Sequence, residues 1–438
     1  MGITGTRSQE IADSVETAIT GGELATGTPL PPIRDLAVDL GVNPNTVAAA
    51  YRTLRERGLI ETAGRRGTRV RAQAASAHRD VRPSAVPAGA RDLATGNPDV
   101  RLLPDLGAAL AAVAGARSGA HRLYGDPPIS PALAAAAHEI FAADGDGGGD
   151  VAVTSGALDG IDRALRCSLR PGDAVAVEDP GWPSLYDLLA SLGLKRLPVR
   201  VDDDGPLPED AAAALRAGAR ALLLTSRAQN PSGGALGEAR AAELRALLAP
   251  HPRTLTIEDD HGFGLTDLPF CRVGGATRQW VVVRSAAKSF GPDLRLAVVA
   301  GDGATIDRMR TGQRMGPGWV SHVLQEAFAE LWRRGAVDVA AVARSYALRR
   351  DALTARLAEH GVAAAGRSGV NVWVPVADEA AATADLLARG WAVTPGAPFR
   401  LGSPPGLRVT VSALDTPEIP GLAADIAAAV QAPSAPPV

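Results

Sequence analysis

Apolar positions in the first seventy residues recur at helical spacing. Ile11, Val15 and Ile19 share one face of a predicted first helix. Residues 31–40 read as a second, stopped at Gly41, and Asn45-Thr46 is placed to cap a third that runs to about Arg57. Val47, Tyr51 and Leu54 fall on the inner face of that third helix, whereas Asn45, Thr46, Arg52 and Arg55 point elsewhere. Residues 58–62 and 68–71 then switch to strand-like patterning, with the basic turn Ala63-Gly64-Arg65-Arg66-Gly67 between them. A helix, a turn, a helix and a two-stranded wing make a geometry that docks on DNA, the third helix entering the major groove.

The pattern changes twice more. Residues 74–90 have no periodicity and are rich in small residues and proline, the composition of a linker. From 91 to 432 short apolar runs alternate with Ala/Leu-rich helical stretches, which predicts an α/β architecture. Strands are expected at 151–154, 174–178, 221–225, 255–258 and 280–284. Residues 433–438 read as a Pro-rich, frayed tail. The expected division is therefore a mostly α winged domain over 1–73, a linker over 74–90, an α/β domain over 91–432, and the tail.

Composition narrows the class. The chain has 438 residues, 46% hydrophobic and 21% charged, which excludes disorder throughout. No apolar run approaches the length of a membrane-spanning helix, and Glu10, Asp13 and Glu16 interrupt what would be a signal peptide. Cys167 and Cys271 cannot build a disulfide framework or a cysteine zinc site, and a cytoplasmic location without a membrane partner is expected. A net charge of −3 excludes a chain that binds polyanions over its whole surface. Locally the balance differs: residues 1–50 carry −4, while residues 51–71 carry seven arginines against two acids. Positive charge is concentrated where the end of the third helix and the wing would meet phosphates.

Only Lys195 and Lys288 among the 45 basic residues are lysines. Unlike arginine, a lysine amine can deprotonate and form a Schiff base. Lys288 follows an apolar strand, with Ser285 three residues before it and Arg295 seven after, both within reach of one phosphate. That is the equipment for anchoring pyridoxal 5′-phosphate (PLP) while the amine forms an imine with its aldehyde. Four other strand ends supply complementary chemistry. Thr154-Ser155-Gly156-Ala157 opens a helix whose amides can cradle a phosphate. Trp182, in Glu178-Asp179-Pro180-Gly181-Trp182-Pro183, can stack on a pyridine ring. Asn230, in Gln229-Asn230-Pro231-Ser232-Gly233, can donate to a phenolic oxygen. In Glu258-Asp259-Asp260-His261 a carboxylate can keep the ring nitrogen protonated. Each stretch alone is an ordinary turn; together they follow the rule that α/β ligand sites lie at the carboxyl ends of strands.

Residues 1–73 resemble the GntR-type winged helix-turn-helix, on Leu30-Pro31-Pro32-Ile33-Arg34-Asp35-Leu36-Ala37, Leu40-Gly41-Val42-Asn43-Pro44-Asn45-Thr46-Val47, Tyr51-Arg52-Leu54, Gly58-Leu59-Ile60 and Gly67-Thr68. The resemblance implies operator contacts from Arg34, Asn43, Asn45, Thr46, Arg52, Arg65, Arg66 and Thr68. Pro44 stands where basic or polar residues are frequent. Residues 91–432 resemble the fold-type-I, class I/II aminotransferase domain with a small C-terminal α+β lobe, and the fusion resembles the MocR subfamily of transcriptional regulators. It implies Lys288 as the Schiff-base lysine, with Ser155, Gly156, Ala157, Ser285 and Arg295 around the phosphate. It further implies Trp182 on the ring, Asn230 on the phenolic oxygen and Asp259 on the ring nitrogen. By the same resemblance Tyr124 reaches the phosphate of a partner subunit, and Arg408, in Leu407-Arg408-Val409-Thr410, grips an amino-acid carboxylate. His261 stands where the family usually has a tyrosine near the phenolic oxygen. Asp159 stands beside the phosphate site, where its charge repels the ligand unless the side chain turns away.

Three readings follow. The first is a homodimeric PLP-binding regulator that binds double-stranded operator DNA and senses PLP or an amino-group ligand through an internal or external aldimine at Lys288. The second is a PLP-dependent aminotransferase with an accessory DNA-binding head. The third is a DNA-binding protein whose large domain is a dimerisation scaffold without cofactor. The basic wing favours the first over the second, and the complete cofactor set disfavours the third. No metal is expected in any of them.

Overall fold

The computed structural model describes residues 3–20, 23–25, 27–56, 59–62, 67–70, 86–116, 121–145 and 149–431. Arg65, Arg66, most of the expected linker and the expected tail lie outside these residues. The N-terminal unit contains helices α1 (Ser8–Thr20), α2 (Ile33–Leu40) and α3 (Pro44–Glu56) and the antiparallel strands β1 (Ile60–Thr62) and β2 (Thr68–Val70). Ile11, Val15, Val47, Tyr51 and Leu54 are fully buried between the helices, so the apolar stripe read from the sequence is the core. Thr28 and Leu30 add a further edge to the wing. The Leu30 N–H donates to the Thr68 carbonyl at 2.8 Å, and the Val70 N–H to the Thr28 carbonyl at 2.9 Å.

Two local expectations are corrected. The second helix begins at Ile33, not at Pro31; Pro32 is extended (φ −54°, ψ 144°) and Pro31 lends its carbonyl to the Tyr51 hydroxyl at 2.8 Å. A proline ring disfavours helical geometry in the residue before it. The third helix is capped by Asn43 instead of Asn45-Thr46: the Asn43 Oδ1 accepts from the Asn45 N–H at 2.8 Å. Pro44 occupies the first helical position, where a missing N–H does no harm.

In the large domain an eight-stranded sheet has β4 (Asp150–Thr154) at one edge. In chain order it comprises β4, β5 (Ala174–Asp179), β6 (Lys195–Asp202), β7 (Gly205–Pro206), β8 (Ala219–Thr225), β9 (Leu255–Asp260), β10 (Gln279–Ser285) and β11 (Ala297–Gly301); β3 (Arg91–Asp92) lies outside it. The spatial order is β4-β11-β10-β9-β8-β5-β6-β7. Strands β5, β8, β9 and β10 are parallel, while β11 runs antiparallel to both β10 and β4. The carboxyl ends of β4, β5, β8, β9 and β10 therefore share one edge, where every candidate strand-end motif is delivered. Residues of β9 are buried at every position, as expected for a central parallel strand covered on both faces.

The C-terminal lobe carries an antiparallel sheet of Asn371–Pro375, Gly406–Thr410 and Thr394–Pro395, with helices Val339–Glu359, Glu379–Ala388 and Ile419–Gln431. Leu353, Val372, Leu407, Val409, Leu422 and Ile426 form its core. Trp391–Ala392 pairs in parallel with β3, so the chain is stitched to this lobe as it enters the domain. Among the described residues no helix is long and apolar enough to cross a membrane.

Candidate functional site

A cavity of about 530 Å³ lies at the carboxyl edge of the sheet. Its wall brings together Gly156, Ala157, Trp182, Asn230, Asp259, His261, Ser285, Lys288, Arg295 and Arg408. These residues come from six separate stretches of chain, so the sheet edge is what assembles them.

At one end, helix α4 (Ala157–Ser168) opens on the cavity with Gly156 at its cap (φ +94°) and no side-chain capping bond. A Cβ on Gly156 would stand 3.0 Å from the Arg295 guanidinium. The glycine thus lets a cation and uncapped helix amides share one space, which suits a phosphate. Arg295 is itself left-handed (φ 44°) and donates to the Ser155 carbonyl at 3.1 Å. Ser155 does not line the cavity; its N–H is taken by the Asp159 carboxylate at 2.8 Å. That bond, with an ion pair from Asp159 to Arg163 at 2.9 Å, turns Asp159 away and neutralises the expected repulsion.

Lys288 lies in the short helix Ala287–Phe290 directly after β10. Its Nζ donates to the Gly96 carbonyl, and among the described residues no carboxylate lies within ion-pair distance of it. Burial, and secondarily the Arg408 guanidinium, push its pKa down to about 8, which brings the neutral amine within reach near physiological pH. Arg408 is buried too. It donates to the Asn230 Oδ1 at 3.1 Å, the Thr394 hydroxyl at 3.2 Å and the Ala94 carbonyl, and it stacks 4.8 Å from the Phe399 ring centroid. Its Nε is buried without a partner, and burial pushes its pKa down to about 10 despite Asp92. With the oxygen of Asn230 engaged by Arg408, the donor end of that amide is the one left for a ligand.

Asp259 presents one buried oxygen, Oδ1, with no partner, while Oδ2 faces the His261 Nδ1 at 3.1 Å. The His261 Nε2 lies 2.7 Å from the Ala228 carbonyl. Both ring nitrogens are engaged by the protein, so this departure from the family's tyrosine is a side chain held at both polar atoms. Asp260, the next residue along the strand, points to the opposite face. There it receives Arg227 and Arg284, each at 2.7 Å.

The turn bearing Trp182 is held by its two acids. Asp179 accepts from the backbone N–H groups of Leu401, Gly402 and Ser403 at 2.8–3.0 Å and from the Ser403 hydroxyl at 2.8 Å. Glu178 accepts from the Thr225 N–H and hydroxyl, both at 2.8 Å, and from the Gln229 amide at 3.1 Å. It is fully buried, which raises its pKa to about 7. These bonds tie the Trp182 turn to the Asn230 loop.

Tyr124 lies outside this cavity, 93% exposed and edge-on to Trp319. Sequence reasoning missed the segment Ala94-Thr95-Gly96-Asn97-Pro98, which closes the cavity over Lys288 and Arg408. Its signal was local: Gly96, in a turn sequence just after β3, has φ +67°, and a Cβ there would stand 3.5 Å from the Arg408 guanidinium.

On the winged unit Arg34, Asn45 and Arg52 are exposed and Thr46 is half-buried. Asn43 is exposed with its oxygen engaged as a cap, and Thr68 uses its backbone in the wing. Arg69 pairs with Glu61 across the wing at 2.6 Å, so its charge is already compensated there.

Comparison with known proteins adds lineage to this geometry. The pattern of the family described as aminotransferase class I and II matches residues 90–426, and that of the gntR family of bacterial regulatory proteins matches residues 7–70. The vitamin B6 salvage pathway transcriptional repressor PtsJ of Salmonella typhimurium is 42% identical over 97% of this chain and 98% of its own. The probable rhizopine catabolism regulatory protein MocR of Rhizobium meliloti is 26% identical over 80% of this chain and 77% of its own. Among solved structures, the α-aminoadipate aminotransferase LysN of Thermus thermophilus, complexed with N-(5′-phosphopyridoxyl)-L-leucine, superposes with a TM-score of 0.69. The match covers 79% of this chain and 93% of that one at 19% identity, a likeness of fold alone.

Proposed function

The chain belongs to the MocR-type regulators, a gntR-family head joined to a class I and II aminotransferase domain, and from that premise we propose that its large domain holds PLP as a signal for the DNA-binding head. The relative from Salmonella is named for repression in vitamin B6 salvage; carried to this chain, that makes the vitamer itself the effector, in a cytoplasmic protein where vitamer and operator meet. The observation that carries the reading is electrostatic. Two buried cations without carboxylate partners, Lys288 and Arg408, and one orphaned carboxylate oxygen of Asp259 face a single cavity. Buried charges are normally paired, so a cavity lined this way calls for a ligand carrying both an anionic group and a ring N–H.

PLP has that pattern, and when bound it supplies an aldehyde for a neutral amine and an electron-withdrawing ring. Gly156, Ala157, Ser285 and Arg295 would hold the phosphate, Trp182 would cover the ring and Asp259 would take the ring nitrogen. Lys288 would bind covalently, Asn230 would donate to the phenolic oxygen, and Arg408 would receive the carboxylate of an amino-group ligand. On the head, exposed Arg34 of α2 and half-buried Thr46 near the start of α3 are the proposed base-reading side chains, with Arg52 on the backbone.

The test mixes cofactor-free protein with PLP and follows the visible band of the lysine-bound vitamer. Because the folded-state pKa of Lys288 is lowered to about 8, uptake should accelerate about tenfold per pH unit below 8 and level off above it. No band in the wild type sinks the proposal. Sustained turnover with L-glutamate as amino donor would move the reading to an aminotransferase with an accessory head.

A homodimer belongs to this proposal. Tyr124 is exposed and does not line its own cavity, and the adjoining Leu123 is exposed too, which suits a side chain offered to a second copy. Helix-turn-helix proteins also read paired half-sites as dimers. Sedimentation at micromolar concentration should report twice the chain mass; a monomer with cofactor bound contradicts it.

A further inference from the structure

We infer that His261 is a positioning residue that shares a single proton with Asp259, so that the pair is electrically neutral and only Asp259 Oδ1 is left to meet a ligand. The argument starts from hydrogen-bond inventory. A backbone carbonyl only accepts, so the His261 Nε2, 2.7 Å from the Ala228 carbonyl, carries a hydrogen. That carbonyl is fixed: Ala228 is left-handed (φ 57°) and its N–H donates to the Ser368 hydroxyl at 2.9 Å. The other nitrogen, Nδ1, faces the Asp259 Oδ2 at 3.1 Å. Without a proton between them, two lone pairs would oppose each other in a buried site. With one proton, on either atom, the pair is satisfied and carries no net charge.

Neighbouring charges agree. Burial alone would lower the imidazole pKa, and Lys288 from the following helix acts in the same direction. The Asp259 carboxylate and the Ala228 carbonyl outweigh both and hold it above the ordinary imidazole range. Glu178, on β5 two strands away, also feels Asp259 and is raised to about 7, chiefly by its own burial. Asp260 is directed at Arg227 and Arg284 and leaves His261 to Asp259.

The consequence rests on the PLP reading. An Asp259 carboxylate compensated by His261 holds a ring N–H less strongly than a free one, and with His261 engaged no side chain at that position donates to the phenolic oxygen. The ring then withdraws electrons less effectively, which fits a domain that retains the vitamer instead of turning it over.

The test uses the full-length, cofactor-free protein labelled with ¹⁵N-histidine, the His261 signals being identified with H261Q and, should that variant not fold, H261N. Expected is a ring protonated at Nε2 throughout, with a midpoint above that of free histidine in the same buffer, and a midpoint that falls in Asp259→Asn. A midpoint at or below that of free histidine, or no response to Asp259→Asn, overturns the inference. A separate addition of PLP to the same sample keeps the two claims apart. Absence of a visible band there would remove the cofactor reading and leave the proton arrangement to the NMR result.

Discussion

Lys288→Ala is expected to abolish covalent uptake of PLP and, with it, the effect of PLP on operator affinity. Lys288 is the only lysine in the cavity wall; Lys195, the other lysine in the chain, is exposed at the start of β6. The wild-type amine is unusual in being buried without a carboxylate partner, so it exists to be used by something that enters the cavity. For the large domain to control the head, the vitamer must bind one arrangement of the molecule more tightly than another. Coupling typical of such linkage, about 1–3 kcal/mol, changes operator affinity by roughly five- to 150-fold. The measurement is fluorescence anisotropy of a DNA fragment selected by the wild type, with and without PLP, in wild type and variant. A wild type indifferent to PLP removes the sensing model, and a variant that keeps the full response removes Lys288 from it. Residual non-covalent binding through Arg295 and the α4 amides would leave the variant a response only at much higher PLP concentration.

Much of this was legible before the structure because most of the information is periodic or local. Ile11, Val15 and Tyr51 announce the winged core through helical spacing, and the strand ends carrying Asp259 and Lys288 are marked by apolar runs that stop at chemistry. The misreadings have physical causes. Asn43-Pro44-Asn45 offers two asparagines as caps, and the choice depends on Pro44 preferring the first helical position. Strand β9 continues through Asp259 and Asp260, two residues past the expected end, because Arg227 and Arg284 make a carboxylate tolerable inside the sheet. Those partners are 33 and 24 residues away, beyond any local pattern. The Ala94–Pro98 segment carries a local turn signal, but its role was missed because Lys288, which gives the turn its place at the site, is 192 residues away. His261 was legible as a departure from the family's tyrosine, but its partners were not: an imidazole has two polar atoms, and Ala228, 33 residues away, and Asp259 claim both.

Asp260→Asn should be among the most destabilising substitutions in the large domain. Its carboxylate, fully buried, accepts from Arg227 Nε at 3.0 Å and Nη2 at 2.7 Å and from Arg284 Nε at 2.7 Å. Arg284 is itself fully buried, its guanidinium 4.6–5.3 Å from the ring centroids of Phe141, Phe263 and Phe270, with Nη1 donating to the Ile140 carbonyl at 2.9 Å. Neutralising Asp260 leaves two guanidinium groups facing only Asp144, which is partly exposed. Removing one partner of a buried pair typically costs about 3–5 kcal/mol, which for a domain of this size lowers Tm by about 4–7 °C. The pH dependence has a definite sign. Burial would raise the Asp260 pKa, but Arg227 and Arg284 outweigh it and hold the folded-state value below the ordinary carboxylate range. The stabilisation is therefore present above the unfolded-state pKa and is lost as pH falls, so the gap between wild type and variant should be widest near neutrality and close below about pH 4. Because Asp260 adjoins Asp259, and Arg284 adjoins Ser285, PLP affinity should fall in the variant even at temperatures where it remains folded. Thermal melts at pH 7 and about pH 3, read beside PLP titrations, check both effects; a Tm unchanged at pH 7 would mean that the Arg227–Asp260–Arg284 cluster does not support the sheet edge on which the site is built.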